Sequence, residues 1–219
     1  MFQCKAKPVY GILFMLVAFL PVSCTKSLTV TNIVYENNFD DRNLKDIVVS
    51  GWNTNGGFGP VTDPRIGNYN GQTVLGKLNN NLVQLSLFNL PPHQALRVEF
   101  DLYLHNQWNN ELWAMSFDGS YQLITGFSND STIKQSYPNW IGNGTPLTAA
   151  GADAINTRLP GVCNLINSAH GSSMYRMITT IQHSSNQFVL NCNDAGGAFN
   201  DTCRRSWSMD NLKISVFKN

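Results

Sequence analysis

The sequence has few charged residues, and they form no run of one sign. Asp, Glu, Lys and Arg make up 13% of the 219 residues, about half the usual share. The 15 basic side chains nearly balance the 14 acidic ones. Because nucleic acid is bound mainly through neutralisation of its phosphates, this composition predicts no nucleic-acid partner. Asn, Ser, Thr, Gln and Gly must supply most of the polar surface.

The motifs of several common enzyme classes are also missing. The chain has no G-x-S-x-G nucleophile turn and no H-E-x-x-H zinc motif. Its glycine clusters lie between β-like segments and not before a helix, so they do not predict a phosphate-binding loop. The four histidines are scattered along the sequence. We therefore expect a protein that is not an enzyme.

The N-terminus has the features of a targeting signal. Lys5 and Lys7 precede an apolar run over residues 9–22. That run has about the length of a signal-peptide core, and it is short for a membrane-spanning helix, which needs roughly 20 apolar residues. The run ends in "LPVSC", and a small residue directly before Cys24 resembles a bacterial lipobox, although Pro21 departs from its usual pattern.

The lipobox resemblance predicts three segments. Residues 1–23 are a lipoprotein signal peptide, Cys24 carries the lipid anchor, and residues 24–27 form a short tether. The predicted location is extracytoplasmic, at the outer membrane or cell surface of a bacterium, with the membrane as a partner through the acyl chains. The alternative is ordinary cleavage near the same position, which would release a soluble secreted protein.

Three cysteines remain in the predicted mature domain. Cys192 and Cys203 flank a loop that contains Gly and Asn, and in an oxidising compartment this spacing predicts a local disulfide. Cys163 is then buried and free, or it replaces Cys203 as the partner of Cys192. Zinc is the other alternative, but no CxxC or His pair at ligand spacing supports it.

Alternation of apolar and polar residues predicts a chain of strands. Residues 96–104 place Leu and Val residues and Phe100 on one face, and residues 82–90 and 175–183 alternate in the same way. Turn clusters rich in Gly, Asn and Pro separate them, and no sustained helical period follows the signal. This pattern predicts one all-β domain, a sandwich or barrel, at 28–219. The irregular stretch 128–173 is expected to hold long loops that carry function.

A family resemblance covers most of the mature chain. The segment "VLGKLNNNLVQLSLFNLPPHQALRVEFDLYLHNQWNNELWAMSFDG" is similar to a module of secreted bacterial proteins, and "QSYP", "LPGVC" and "CRRSWSMDNLKISV" follow in that family's order. The family is a poorly characterised group of bacterial secreted and surface lipoproteins. The resemblance implies a jelly-roll β-sandwich, like concanavalin A-like lectins and carbohydrate-binding modules.

Two tryptophans recur in separate motifs of this family, Trp108 and Trp207. One interpretation is that both plug the rim of the sandwich, with indole N–H groups bonded to loop carbonyls. The other is that Trp108, Trp113 or Trp140 forms a stacking platform for a sugar ring. The amides that surround Trp108 are expected to hold the loop by bonding local backbone groups.

Acidic residues near the first and last strands suggest a structural calcium. Glu36 and Asp40 lie near the first strand, and Asp210 starts the last one. These strands are neighbours in many jelly rolls, where calcium links them, and turn capping is the alternative. The family's "DSWDG" is replaced here by neutral amides. If those acids bind calcium in the family, the site in this chain is expected to be weaker.

The sequence thus predicts a monomeric, non-catalytic surface lipoprotein that binds glycan or another extracellular ligand such as a surface protein. A structural or adhesive protein without a small-molecule site is the alternative. A jelly-roll glycosidase is the least favoured hypothesis. Glu99 and Asp101 have the spacing of such an acidic pair, but Tyr103 and Leu104 occupy the places of the third acid.

Overall fold

The computed structural model describes residues 29–52, 58–61, 65–141, 147–194 and 201–218. The predicted signal peptide, Cys24 and the tether at 24–27 lie outside the described residues. Within the described part, no helix is long and apolar enough to cross a membrane.

The described residues form thirteen strands and one short 3₁₀ turn, Cys163–Leu165. The strands are β1 Thr29–Asn37, β2 Ile47–Trp52, β3 Phe58–Pro60, β4 Ile66–Tyr69, β5 Gln72–Leu78, β6 Asn81–Phe88, β7 Ala95–Asn106, β8 Asn109–Phe117, β9 Ser120–Ser128, β10 Asn156–Leu159, β11 Ser172–Gln182, β12 Gln187–Asp194 and β13 Arg205–Lys218.

The strands make two antiparallel sheets. The seven-stranded sheet has the order β10-β11-β7-β13-β5-β4, with β1 pairing β13 beyond the end of β5. The six-stranded sheet has the order β3-β2-β6-β12-β8-β9. Neighbours in space are mostly distant in sequence, as in a jelly roll. The predicted all-β jelly-roll sandwich is confirmed.

The core lies between the sheets because each strand turns alternate side chains inward. On β6 these are Val83, Leu85 and Leu87, and Val98 and Phe100 of β7 face them from the other sheet. Both sets follow the period of two that the sequence shows. The predicted strands at 82–90, 96–104 and 175–183 correspond to β6, β7 and β11.

A second, smaller apolar cluster lies outside the main core. It joins Tyr69, Val74, Tyr103, Leu159 and Val162. The Tyr69 hydroxyl donates a hydrogen bond to the Pro160 carbonyl at 2.6 Å, which fixes the loop after β10 against β4. This packing brings the 3₁₀ turn, which begins at Cys163, close to the chain segment that enters β13.

The disulfide joins Cys163 to Cys203, with Cα atoms 5.5 Å apart. The predicted Cys192–Cys203 pair is wrong, and so is the alternative that paired Cys163 with Cys192. Cys192 is the free cysteine, and it is fully buried because β12 turns Phe188, Leu190 and Cys192 into the core. Burial raises the pKa of its thiol, so the thiol stays protonated and unreactive.

Replacing both Cys163 and Cys203 by Ser should lower the free energy of unfolding. The bond closes a loop with a sequence separation of 40 residues, and the chain-entropy model assigns about 4 kcal/mol to a loop of that length. Denaturant unfolding of the variant and the parent measures the loss. Non-reducing peptide mapping should find Cys163 joined to Cys203, with Cys192 alkylated only after unfolding. A fragment that joins Cys192 to either residue would contradict this pairing.

Candidate functional site

Trp108 is a structural plug and not a binding platform. It lies in the two-residue connection between β7 and β8, and none of its surface is exposed. Its indole Nε1 donates to the Ser206 carbonyl at 3.0 Å. The guanidinium of Arg205 lies 5.3 Å from the ring centre. The plug interpretation holds for Trp108, although the accepting carbonyl belongs to strand β13 and not to a loop.

Trp113 is equally inaccessible to a ligand. Strand β8 turns it into the core, where it meets Trp207 edge to face with ring centres 6.0 Å apart. The predicted platform role is therefore wrong for Trp108 and Trp113. A ligand cannot reach an aromatic side chain that points between the two sheets. The amides that follow Trp108 in the sequence are typical of an exposed loop, so the inward position of Trp113 was not predicted.

The amides around Trp108 hold loops together, as predicted. The Asn106 side chain donates to the Val162 carbonyl at 3.1 Å and accepts from the Val162 amide at 2.9 Å. Asn110 Oδ1 accepts from the backbone N–H of Ser136 at 2.8 Å. These bonds tie the irregular 128–173 stretch to the rim of the sandwich. The side-chain amides are thus engaged in hydrogen bonds within the fold.

Asp194 is a buried hub that sequence reasoning missed. It ends β12, and its oxygens accept from the backbone N–H groups of Asn80 at 2.9 Å and Asn81 at 3.2 Å. They also accept from Trp207 Nε1 at 2.9 Å, and Arg205 Nη2 lies 3.5 Å away. Trp207 is therefore a plug as well, but its partner is a carboxylate and not a loop carbonyl.

The acids predicted to bind calcium do not form a metal site. Among the described residues, no three His, Cys, Asp or Glu side chains are placed to hold a metal ion. Asp40 Oδ2 accepts from Asn38 Nδ2 at 2.8 Å. Asn37, Asn38, Asp41 and Asn43 each accept from the amide two residues later. Turn capping, the alternative interpretation, describes this loop.

Asp210 has a different environment from the other two predicted calcium ligands, Glu36 and Asp40. It is buried beside Asp101, its cross-strand partner on β7. Arg176 ion-pairs with Asp101, and Asn211 Nδ2 donates to it at 2.8 Å. Burial raises the pKa of Asp210 from its ordinary value of 3.8 to about 6, with smaller contributions from the Asp101 and Asp40 carboxylates. The fold therefore favours the protonated form of Asp210.

This raised pKa predicts a pH-dependent effect of Asp210→Asn. The stabilising contribution of a protonated Asp210 is fully present below its unfolded pKa and is lost as the pH rises through about 6. Near pH 3 the variant should match the parent in stability. At pH 8 it should be more stable by ~3 kcal/mol, since the shift is about two pKa units and each unit corresponds to about 1.4 kcal/mol. Denaturant unfolding at both pH values measures the difference, and a variant that is less stable at pH 8 would contradict it.

The Glu99–Asp101 pair of the glycosidase hypothesis lies in an ion-pair network. Glu99 contacts Arg97 Nη2 at 3.1 Å and Lys213 Nζ at 3.5 Å. Asp101 is held by Arg176, as described above. Both carboxylates are thus engaged by cations on the outer side of the seven-stranded sheet.

The histidines act within the fold. His105 is fully buried between the hydroxyls of Ser172, at 3.0 Å, and Ser208, at 2.8 Å. Burial lowers the pKa of His105 to about 3, which keeps the ring neutral. His93 Nε2 and His183 Nδ1 lie 2.7 Å apart and join two loop segments.

The outward side of the six-stranded sheet has a row of uncharged polar side chains. Gln84 of β6, Asn191 of β12 and Ser116 of β8 are direct cross-strand neighbours. Gln84 Nε2 donates to Asn191 Oδ1 at 3.0 Å, and Asn191 Nδ2 lies 3.5 Å from Ser116 Oγ. Asn193 lies in the next row. We name the surface formed by these four residues the amide face.

Aliphatic and aromatic side chains surround the amide face. Val48 of β2 continues the Gln84 row, and Leu82 and Val189 flank it on the same side of the sheet. Trp52 ends β2 and is 53% exposed, and Tyr121, the partner of Ser116 on β9, is also exposed. The polar row thus ends at Val48 on β2 and at Tyr121 on β9, and Trp52 lies four residues beyond Val48 along β2. Trp52 was missed because its segment reads as a Gly- and Asn-rich turn.

Trp140 lies at the opposite margin of the same sheet. It is 46% exposed, as expected of a loop-borne binding residue. The next residue, Ile141, donates its N–H to the Ile124 carbonyl at 2.7 Å, and Thr125 Oγ1 donates to the Asn139 carbonyl at 2.7 Å. Four strand spacings separate β2 from β9, so the margins that bear Trp52 and Trp140 are about 19 Å apart.

Concavities also lie beside β1. One, of about 570 Å³, is lined by Tyr35, Glu36, Asn37, Asp41 and Asn211, among others. Its Asn and Asp side chains belong to the capped turns described above. This cleft is therefore a product of the loop after β1, and the amide face is the better candidate site.

No protein-family model and no curated protein matches the chain. Among the solved structures that match the chain, three share 7–10% of its residues. The dimeric latent PorU of Porphyromonas gingivalis matches with a TM-score of 0.39 and 10% identity, over 89% of this chain and 14% of PorU. An exo-β-1,3-galactanase of Phanerochaete chrysosporium matches at 0.36 and 10%, over 83% and 28%. A family 35 carbohydrate-binding module of Clostridium thermocellum matches at 0.33 and 7%, over 78% and 92%.

Proposed function

We propose that the protein is a non-catalytic surface lipoprotein that binds a neutral glycan on the amide face. The observation that carries this proposal is the uncharged row of Gln84, Asn191 and Ser116. The exposed rings of Tyr121 and Trp52 lie on the same side of the sheet. A sugar presents apolar C–H faces and hydroxyls that both donate and accept. Aromatic rings match the first feature, and side-chain amides match the second.

The amides keep hydrogen-bonding capacity for such a ligand. Gln84 uses one N–H on Asn191. Among the described residues, no hydrogen bond to Gln84 Oε1 or to the Asn193 side chain is found. An amide carries two donors and one acceptor oxygen, so several remain open. The absence of ionisable groups from the row favours a neutral glycan over an acidic one.

Replacing Asn191 or Trp52 by Ala should weaken glycan binding at least tenfold without lowering the melting temperature. A glycan array identifies the ligand, and calorimetric titration compares the variants with the parent. Ile33→Ala on β1 is the control, because Ile33 is similarly exposed on the other sheet. Equal affinity in all four proteins would exclude the amide face. If no glycan binds, the structural or adhesive alternative becomes the leading hypothesis.

The lipid anchor is the second part of the proposal. It rests on the lipobox-like "LPVSC", and the disulfide supports it because such bonds persist outside the cytoplasm. Cys24→Ser should abolish fatty-acid labelling and move the protein out of the detergent-rich phase on phase separation. Ser23→Ala, which keeps a small residue before the cysteine, is the control. Unchanged partitioning of Cys24→Ser would contradict the anchor.

A further inference from the structure

An open strand edge invites pairing with another chain, and most sheet edges of this protein are protected against it. The pairing of β1 with β13 is interrupted by two register shifts. Strands β3 and β4 have three and four residues. Along β9, the carbonyls of Gly126 and Ile124 accept hydrogen bonds from the segment 136–141.

Strand β11 lacks these protections. It has eleven residues, and its register with β7 runs without a shift from Ser172 to Gln182. Strand β10 covers only the beginning of β11, with partners at Ser172 and Met174. From 175 to 182 the outer side of β11 has no neighbouring strand among the described residues. The open edge is therefore longer and more regular than the others.

Two hydrogen bonds fix which backbone groups face outward. The Met174 carbonyl accepts from Ile155 on the β10 side, and the His183 N–H donates to Gln94 on the β7 side. Since successive residues of a strand point their N–H and C=O groups to opposite sides, the even-numbered residues face the open edge. These are Arg176, Ile178, Thr180 and Gln182, and the described residues supply no backbone partner for them.

The side chains on this edge do not oppose pairing. Natural edges are commonly blocked by Lys, Pro or an inward-pointing charge. The open part of β11 has none of these. Its one charge, Arg176, is already paired with Asp101 on its own sheet. Ile178 stands in the middle of the edge and is 51% exposed.

We propose that β11 pairs antiparallel with β11 of a second copy of this chain, across a twofold axis at Thr179. This register places Arg176 opposite Gln182 and Ile178 opposite Thr180, and it uses the whole open edge. Because residue 179 is the midpoint of the segment 176–182, each residue of the open edge lies opposite a residue of the open edge in the second copy. The pairing forms about eight backbone hydrogen bonds and brings no like charges together.

A second copy fits this edge better than an unrelated peptide. The edge carries no net charge that would select a charged partner, and its polar and apolar residues match their own symmetry mates. A twofold contact also closes, so it gives a dimer and not a fibre. This dimer differs from the monomer that the sequence predicts. The sequence alone does not show whether a strand lies at the edge of a sheet or inside it.

The register predicts a specific cross-link. The two Thr179 residues form a pair that is not hydrogen-bonded, with Cα atoms about 4.5 Å apart. A disulfide spans such a distance. Thr179→Cys should therefore give a covalent dimer on mild oxidation, resolved by non-reducing electrophoresis. Gln182→Cys is the matched control, because its symmetry mate lies six residues further along the partner strand and should not cross-link.

Sedimentation velocity of the full chain, purified in density-matched detergent, tests the dimer itself. The parent should sediment as a dimer. Thr180→Pro should halve the mass without changing the melting temperature, since the N–H that it removes faces the open edge. A parent that stays monomeric at every concentration would overturn the proposal. So would a dimer in which the Gln182→Cys variant cross-links and the Thr179→Cys variant does not, because another surface or register would then hold it.

Discussion

Asp194→Ala should lower the free energy of unfolding by about 4 kcal/mol, because it leaves several buried donors without an acceptor. The backbone N–H groups of Asn80 and Asn81 and the indole N–H of Trp207 all donate to this carboxylate. Arg205, which is also nearly buried, loses its ion-pair partner. Removing one member of a buried ion pair typically costs about 3–5 kcal/mol. Denaturant unfolding measures the loss.

Two control variants separate the hub from simple loss of a side chain. Asp194→Asn keeps one acceptor oxygen and should recover part of the stability. Asn193→Ala alters the preceding residue, which points to the amide face, and should leave stability within about 0.5 kcal/mol of the parent, as at most surface positions. If Asp194→Ala were as stable as Asn193→Ala, the hub would not hold the end of β12 to β13.

Trp108→Ala should be comparably destabilising, with a loss of ~3 kcal/mol or more, as for other large buried aromatics. The substitution removes a fully buried ring, its bond to the Ser206 carbonyl and its contact with Arg205. Thermal and denaturant unfolding check the loss. The effect on glycan binding should follow stability alone, because no ligand can reach the ring.

Trp140→Ala is the matched comparison, since it removes the same side chain from an exposed position. Its melting temperature should stay nearly unchanged, and its affinity for an array-identified glycan should fall. If Trp140→Ala unfolded the domain while Trp108→Ala abolished binding in a stable fold, the two roles would be reversed.

Local sequence patterns predicted the structural features that depend on residues close together in the sequence. The period of two identified β6, β7 and β11 because each strand has one face in the core. The sequence also indicated that Asn and Asp residues around residue 40 cap turns, and the structure shows those caps. The loop-tying role of the amides near Trp108 follows from the same chemistry.

Features that depend on pairing between distant strands were not predictable in this way. Cys192 and Cys203 are close in sequence, but β12 turns Cys192 into the core, while Cys163 is brought to Cys203 by the loop after β10. Asp194 appears in a Gly-rich turn cluster, and its burial depends on β13 and on the turn at residues 79–81.

The candidate site shows the same limit. Gln84, Ser116 and Asn191 are far apart in the chain, and only the strand order places them in one row. Trp113 is of a residue type that often binds sugars, but it lies in the core. Exposure of an aromatic side chain is a property of the sheet packing, so sequence reasoning identified Trp140 and missed Trp52.

The most direct test of glycan binding on the amide face is an NMR titration of the protein with a glycan found by array. The side-chain amides of Gln84, Asn191 and Asn193 and the indole N–H groups of Trp52 and Trp140 should shift in proportion to occupancy. The indole signals of Trp108, Trp113 and Trp207 should stay in place. Shifts confined to the cleft beside β1, with unmoved amide-face signals, would contradict glycan binding at this surface.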